Sequence, residues 1–344
     1  MSLALEGLNI PTSIPLAISS YPYEGTERTS QFTLAPSFLR FGTFELLHKD
    51  GAVNKLRRLV DTVIATYFPH FISSSEKQPT VGINNESYIQ FLEEVVRRQA
   101  KLAALWRTVG FCHGLLDTDM ISILGVTLPS VHSRFIDNFH PNFTCNNQND
   151  PTGRYKFFDQ QMVIVWNIRQ FADSLSSLID LHAQIKIITK FYEIYSVYLE
   201  ELMSAKYGLP PNTPGVDILT SSLEEILTCG RADYHKFFRL LTKHFYATTP
   251  PAEITNLFAD ANCAGLLNYW WHFYQTIRSK LITSQQQQFL LMKTHNPLYV
   301  VRESIFAEAP FGGETLAQLR AVLSDPFVKS SSPLSSNLKK KLLG

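Results

Sequence analysis

Apolar positions recur every three to four residues over most of the chain beyond residue 50, which is the spacing of amphipathic helices. The first stripe starts at Leu56 and is stopped by Pro69. A second stripe extends over 89–109, with Asn85 predicted as its N-cap and Glu86 in its first turn. Further helices are predicted at about 159–206 with a break near the middle, 219–246, 251–282, 298–308 and 314–324.

Polar and turn-forming residues dominate the other segments. Residues 1–45 are rich in Pro, Ser, Thr and Tyr and are predicted to be extended, with two short strands. Residues 129–154 combine Asn, Asp, Pro and Gly, and such a long irregular segment is usually a binding or active-site element. Residues 73–85 form a polar loop. The pattern predicts a mainly α protein, with one compact helical unit at 46–326 and a flexible tail at 327–344.

Composition and charge exclude several classes of partner. The 31 Lys and Arg residues nearly balance 30 acids, so we expect neither nucleic acid nor a membrane surface as a partner. There is no run of 18 apolar residues, and the first residues lack the pattern of a secretory or transit signal. The widely spaced cysteines argue against a zinc ribbon or a disulfide scaffold and are typical of a reducing compartment. The sequence therefore predicts a cytoplasmic protein. The cysteines are Cys112, Cys145, Cys229 and Cys263.

The stretch FCHGLLDTDMISILG at 111–125 carries the candidate chemistry. A His-Gly pair precedes Asp119, which lies in a Thr-Asp-Met turn followed by an apolar run. This order is similar to the catalytic loop of kinase-type enzymes, in which an Asp accepts a hydroxyl proton and the next Asn holds a metal ion. Met120 stands where that Asn is expected, and a thioether is a poor ligand for Mg²⁺.

Several strings extend this similarity along the chain. They are LAPSFLRFGTFE at 34–45, VGFCHGLLDTDMISILGVT at 109–127, FIDNFHPNFTCNN at 135–147, GRYKFFDQQ at 153–161 and NPLYVVR at 296–302. Together they resemble the selenoprotein O family, whose members have a kinase-like fold and transfer AMP from ATP to protein hydroxyls. The resemblance implies a kinase-like C-lobe with family-specific C-terminal helices, and ATP with Mg²⁺ as cofactors.

The resemblance also assigns roles to individual positions. Asp119 matches the catalytic base, and Arg40 matches an arginine that contacts the ATP phosphates. A second phosphate-binding arginine of the family falls on Thr33, and its two metal ligands fall on Met120 and Pro129. We therefore predict that no metal ligand remains at these positions and that Mg²⁺ and ATP bind weakly or not at all.

The family's N-terminal nucleotide lobe is predicted to be largely missing. The segment LEGLNIPTSI at 5–14 resembles the part of the family that directly follows the Gly-rich loop, the nucleotide-binding Lys and its Glu partner. Residues 1–45 would then be a remnant of that lobe and the hinge. An uncovered apolar surface near residues 10–45 would favour a protein partner or self-association.

Simpler structural roles compete with some of these assignments. Asp119 could bond backbone amides of its turn, and Arg40 could form a salt bridge to Glu45 or Asp137. His113 is expected to brace the loop through a backbone hydrogen bond.

Two other groups of residues invite a ligand but are assigned to structure. The oxygen-bearing side chains of Asp137, Asn146, Asn147 and Asp150 lack calcium-loop spacing and are expected to form turns. The aromatic residues at 269–274 are expected to pack in the core, because basic residues are not interleaved with them.

Two functions follow from these observations. The favoured one is a catalytically impaired or inactive pseudoenzyme that binds proteins. The alternative is an active protein adenylyltransferase, or a fragment of one, with Asp119 as the base.

Overall fold

Helices make up most of the protein. The computed structural model describes residues 1–72, 83–258, 260–306, 313–330 and 334–343. Within these residues the helices are α1 (Ser2–Gly7), α2 (Phe41–Lys49), α3 (Val53–Tyr67), α4 (Asn85–Thr108), α5 (Gln160–Ser174), α6 (Leu181–Tyr207), α7 (Val216–Gly230), α8 (Tyr234–Lys243), α9 (Ala252–Thr255), α10 (Ala261–Ser279), α11 (Gln285–His295), α12 (Glu303–Phe306), α13 (Gly313–Ser324) and α14 (Ser336–Leu343). The strands are β1 (Ile14–Tyr23), β2 (Thr26–Leu34), β3 (Phe111–Cys112) and β4 (Arg134–Phe135).

The two strands predicted in the first 45 residues exist, and they are longer than expected. β1 and β2 pair as an antiparallel hairpin with Ile14 opposite Leu34 and Tyr23 opposite Thr26. The helices α1 and α2 were not predicted, because each is short and carries little helical periodicity. A second sheet pairs β3 with β4 in antiparallel register.

The strong helical stripes of the sequence correspond to α3 and α4. The helix α4 begins one residue earlier than the predicted cap implies, because Asn84 rather than Asn85 is the N-cap. Its side chain accepts from Ser87 N at 3.1 Å, and the Ser87 hydroxyl closes a capping box. The predicted loop at 73–85 lies mostly outside the described residues. The predicted break within 159–206 is confirmed, since α5 ends at Ser174 and α6 begins at Leu181.

The helix predicted at 219–246 is divided into α7 and α8. Arg231 adopts a left-handed conformation with φ of 45°, which ends α7, and Asp233 then caps α8 by accepting from Lys236 N at 2.8 Å. The left-handed Arg231 and the cap at Asp233 depend on backbone geometry, which cannot be predicted from the spacing of hydrophobic residues. The helix predicted at 251–282 is likewise divided, into α9 and α10, and α11 was not predicted.

The second half of the chain contains a disulfide between Cys229 on α7 and Cys263 on α10. The sequence analysis did not predict this bond, because a spacing of 34 residues does not reveal that the two helices pack side by side. Cys112 and Cys145 are free thiols. The prediction for the aromatic residues at 269–274 is confirmed for Trp270, Trp271 and Tyr274, which are buried in the core, and is wrong for Tyr269, whose side chain is 79% exposed.

Two hydrophobic clusters organise the described residues. The first cluster includes side chains of α1 to α6 and of α12 to α14, and the second cluster includes side chains of α6 to α11. Leu199 on α6 packs against both. The segment at 327–344, predicted to be a flexible tail, contains α14, whose Leu338 and Leu342 are buried one helical turn apart. None of the helices formed by the described residues is long and apolar enough to span a membrane.

Candidate active site around Asp119

Asp119 lies in a short 3-10 turn, Thr118–Met120, that follows β3. Asp117 fixes this turn, since its carboxylate accepts from Asp119 N at 3.1 Å and its carbonyl accepts from Met120 N at 3.0 Å. The competing structural role, backbone capping by an acid in the turn, therefore falls to Asp117. The Asp119 carboxylate is left exposed to solvent, where it can meet a substrate.

The backbone ahead of this turn is held by two buried amide side chains of α5. Gln160 accepts from His113 N at 2.8 Å and donates to the Phe111 carbonyl at 2.8 Å. Asn167 donates to the Leu116 carbonyl at 3.0 Å. A buried amide that satisfies both a donor and an acceptor fixes the position of the strand-to-turn segment. Sequence reasoning missed both residues, although Gln160 lies in one of the strings that resemble the family.

His113 braces the loop, as expected, by bonding to residues 128–133, which follow the loop. Its Nε2 lies 3.0 Å from the Leu128 carbonyl, and its own carbonyl accepts from the hydroxyls of Ser130 and Ser133, each at 2.9 Å. The ring is completely buried, and burial lowers the pKa of His113 to about 4. A neutral, enclosed imidazole is suited to positioning and not to proton transfer with a substrate.

Arg40 and Asp119 are brought together by the start of α2. Arg40 is the N-cap residue of this helix and pairs through its backbone with Ser122, three residues after Asp119. A Cβ atom on Gly42 would lie only 2.3 Å from Asp119 Oδ1. Glycine at this position therefore lets the first turn of α2 lie directly against the carboxylate.

The Arg40 side chain does not form either of the salt bridges considered for it. Glu45 instead pairs with Lys49 and accepts from the Thr118 hydroxyl, both at 2.6 Å, and these hydrogen bonds lower the pKa of Glu45. Asp137 pairs with another arginine further along the chain. Arg40 Nε is buried and makes no hydrogen bond to any residue that the structure describes. A buried guanidinium nitrogen without a hydrogen-bond partner among the described residues fits a site that receives an anionic group.

The two positions that the resemblance links to metal binding each follow a residue already described. Met120 follows Asp119 directly, and Pro129 follows Leu128, the residue bonded to His113. Neither offers an oxygen from its side chain. Among the described residues, no group of three or more His, Cys, Asp or Glu side chains is arranged to hold a metal ion. The donor set around Asp119 thus does not fit Mg²⁺, whereas Arg40 fits a phosphate.

Asn146 and Asp150 of the 129–154 segment bond nearby groups in turns, as expected, whereas Asp137 forms an ion pair with Arg302. Asp150 accepts from the backbone amides of Arg154 and Tyr155, each at 2.8 Å. Asn146 donates to the Gly114 carbonyl at 2.9 Å and so ties this segment to the loop before Asp119. These contacts occupy the side chains, and they explain how a long segment without helices keeps a fixed shape.

Comparison with known proteins assigns the chain to a family. The family model "Protein adenylyltransferase SelO" matches residues 2–310. The chain belongs to this family. The protein nucleotidyltransferase YdiU of Thiobacillus denitrificans is 33% identical over 314 residues, which cover 90% of this chain and 61% of the relative. The YdiU protein of Variovorax paradoxus is 33% identical over 337 residues, which cover 95% of this chain and 66% of the relative.

The chain spans about three fifths to two thirds of the length of these relatives. The family assignment and the mainly helical fold predicted from the sequence are confirmed. The kinase-like fold, the missing nucleotide lobe, the roles of Asp119 and Arg40 and the cytoplasmic location stay predictions.

Proposed function

We propose that this SelO-family protein has an impaired nucleotidyl-transfer site, so that it transfers AMP from ATP to protein hydroxyls weakly or not at all. The observation that carries this proposal is the pair Met120 and Pro129, which stand at the positions of the family's metal ligands. A thioether is a soft ligand and a proline side chain offers no donor, whereas Mg²⁺ prefers hard oxygens. Asp119 alone would hold the ion weakly.

Asp119 and Arg40 support residual binding of ATP more than residual transfer of AMP. Asp119 is exposed and next to α2, so its carboxylate can accept a proton from a hydroxyl. Arg40 has a buried, unpaired Nε that a phosphate oxygen would satisfy. Transfer of a phosphoryl-type group depends mostly on positioning and electrostatic stabilisation, so the base and one arginine supply little rate. Thr33, at the position of the second family arginine, carries no charge.

Transfer of label from ATP tests the proposal directly. The full chain is incubated with α-labelled ATP, Mg²⁺ or Mn²⁺, and a generic protein acceptor. We expect no incorporation above that of an Asp119→Ala variant. Incorporation by the wild-type chain that Asp119→Ala abolishes would establish the alternative, an active adenylyltransferase, and refute impairment.

Placing oxygen ligands at positions 120 and 129 tests whether their loss causes the impairment. A Met120→Asn, Pro129→Asp double variant should bind ATP in the presence of Mg²⁺ at least about tenfold more tightly than the wild type, measured by calorimetry. Met162→Asn, a matched change of an exposed methionine on α5, should leave ATP binding unaltered. Equal ATP affinity in the double variant and the wild type would show that these two positions do not account for the impairment.

The β1–β2 hairpin supports a second role, in protein binding. Large apolar side chains on this hairpin and just after it are exposed by 45% to 67% of their surface. Such a concentration of apolar surface is typical of an interaction site. We propose that it mediates self-association, which is one of the two roles, with binding of a protein partner, that the sequence suggests for this surface. The residues are Ile14, Leu16, Phe32, Leu34 and Phe38.

Light scattering over a range of protein concentrations tests self-association. The wild-type chain should form a dimer or larger species as concentration rises, and a Leu16→Glu, Phe32→Glu double variant should stay monomeric. Leu181→Glu, at an equally exposed leucine that begins α6, should associate like the wild type. A wild-type chain that is monomeric at every concentration would exclude self-association through this surface.

A further inference from the structure

A cavity lies between α8, α11 and the segment that follows α13, in a part of the chain with no proposed catalytic residue. Its volume is about 810 Å³, within the range of small-molecule binding sites. Leu240, Phe289, Leu298 and Phe327 form apolar walls. The cavity therefore offers room and apolar surface for a hydrocarbon chain, and its polar side chains decide which kind of molecule fits.

The charged side chains that line this cavity are all basic. They are Lys236, Arg239, Lys243, Lys293 and Lys329. Glu253 neutralises Lys243 at 2.6 Å, whereas the described residues supply no ion pair to the other three lysines. No Asp or Glu is among the described residues of the lining. The excess of positive charge favours an anionic ligand.

Among these basic residues, Arg239 has a buried guanidinium nitrogen that could bind an anion. Its Nη2 donates to the Leu343 carbonyl of α14, and its Nη1 is buried without a hydrogen-bond partner among the described residues. Burial lowers the pKa of Arg239 to about 10, so the guanidinium still carries its charge at neutral pH. A buried charge with an unsatisfied donor is costly unless an anion completes it.

We propose that this cavity binds an amphipathic anion, an aliphatic chain that ends in a carboxylate or a phosphate. The head group pairs with Arg239 and Lys236, and the chain lies along Leu240, Phe289 and Leu298. A guanidinium binds both carboxylate and phosphate oxygens through parallel N–H donors, so both head groups satisfy the same geometry. This site is independent of nucleotide binding at Asp119.

Calorimetric titration of the full chain tests both halves of the ligand. The probes are dodecanoate and dodecyl phosphate below their critical micelle concentrations, with dodecanol and inorganic phosphate as matched compounds that lack the charge or the chain. We expect the two anions to bind at least about tenfold more tightly than dodecanol and about a hundredfold more tightly than inorganic phosphate. The tighter of the two anions identifies the preferred head group. Absence of binding by both anions, or equal binding by dodecanol or by inorganic phosphate, would overturn the proposal.

Two variants locate the binding. Arg239→Gln should weaken dodecanoate binding about tenfold, because it removes the charge at the head-group position. Since Arg239 also holds α14, a second variant, Val328→Glu, adds a negative charge at a lining residue that is 59% exposed and should weaken binding similarly without disturbing the core. Val53→Glu, at the start of α3, is the matched control and should bind like the wild type. Wild-type affinity in Val328→Glu would show that the amphiphile binds elsewhere.

Discussion

The two hydrophobic clusters bury different kinds of polar side chain. Around the first cluster these are neutral amides: Gln99 donates to the Ser122 carbonyl at 2.7 Å, and Asn167 donates to a carbonyl in the loop before Asp119. Around the second cluster basic side chains are buried together with the amides of Gln288 and Asn296: Lys206 lies over the Phe238 ring at 4.1 Å and Arg278 over the Phe245 ring at 3.8 Å. The amides of the first cluster therefore position a loop, whereas the second cluster encloses basic groups against aromatic rings.

Buried charge and buried amides have different energetic consequences. A buried amide that bonds a backbone group stabilises the fold modestly. Its removal costs more free energy, because the backbone group is then buried without a partner. A buried ammonium is unfavourable in itself, and an aromatic face compensates only part of its lost hydration. The difference predicts that the first cluster responds to loss of hydrogen bonds, and the second to covalent closure and pH.

The largest effect is expected from the disulfide of the second cluster. A Cys229→Ala, Cys263→Ala double variant opens a closed loop of 34 residues. Chain entropy then predicts a loss of about 4 kcal/mol in the free energy of unfolding, measured with urea. Dithiothreitol should lower the stability of the wild type to that of the variant and leave the variant unaltered. If reductant destabilises both proteins equally, the bond is not the source of the stability.

Lys206 makes the stability of the second cluster depend on pH. Burial lowers its pKa to about 7, whereas a lysine in the unfolded chain titrates near 10.4. Between these values the unfolded chain binds more protons, so stability rises with pH, by about 3 kcal/mol from pH 7 to pH 9.5. The rise should disappear in Lys206→Met and persist in Lys186→Met, an exposed position on the same helix. Equal slopes in the two variants would mean that Lys206 is not buried as a neutral amine.

A smaller effect is expected from the amide that serves the Asp119 loop. Gln160→Leu leaves His113 N–H and the Phe111 carbonyl buried without partners. The expected loss is about 2 kcal/mol in the free energy of unfolding by urea. Gln161→Leu, next to it on α5, is the control and should cost less than about 0.5 kcal/mol. If the two substitutions cost the same, the amide contacts do not determine the stability of the loop.

Sequence reasoning succeeded where structure depends on neighbours along the chain. The stripes that form α3 and α4 and the turn-rich segment at 129–154 are local patterns, and each was predicted. The break at Arg231 was missed because a left-handed residue other than glycine has no compositional mark. The disulfide depends on contact between distant helices, so nothing local could reveal it.

The same limit applies to the site. Asp119 and Arg40 were selected by resemblance, and the structure brings them together through α2 and the Asp119 turn. Gln160, which holds the loop, was not selected, because its importance comes from two backbone groups nearly fifty residues earlier. Residues that position a site are therefore harder to predict than residues that act in it.

The long helix α6 has a consequence for how the protein unfolds. Its 27 residues span about 40 Å, with Ile187 and Phe191 in the first cluster and Met203 and Tyr207 in the second. Neither cluster can lose this helix without exposing apolar surface of the other. The two halves are therefore expected to melt in a single cooperative transition, although each has its own core.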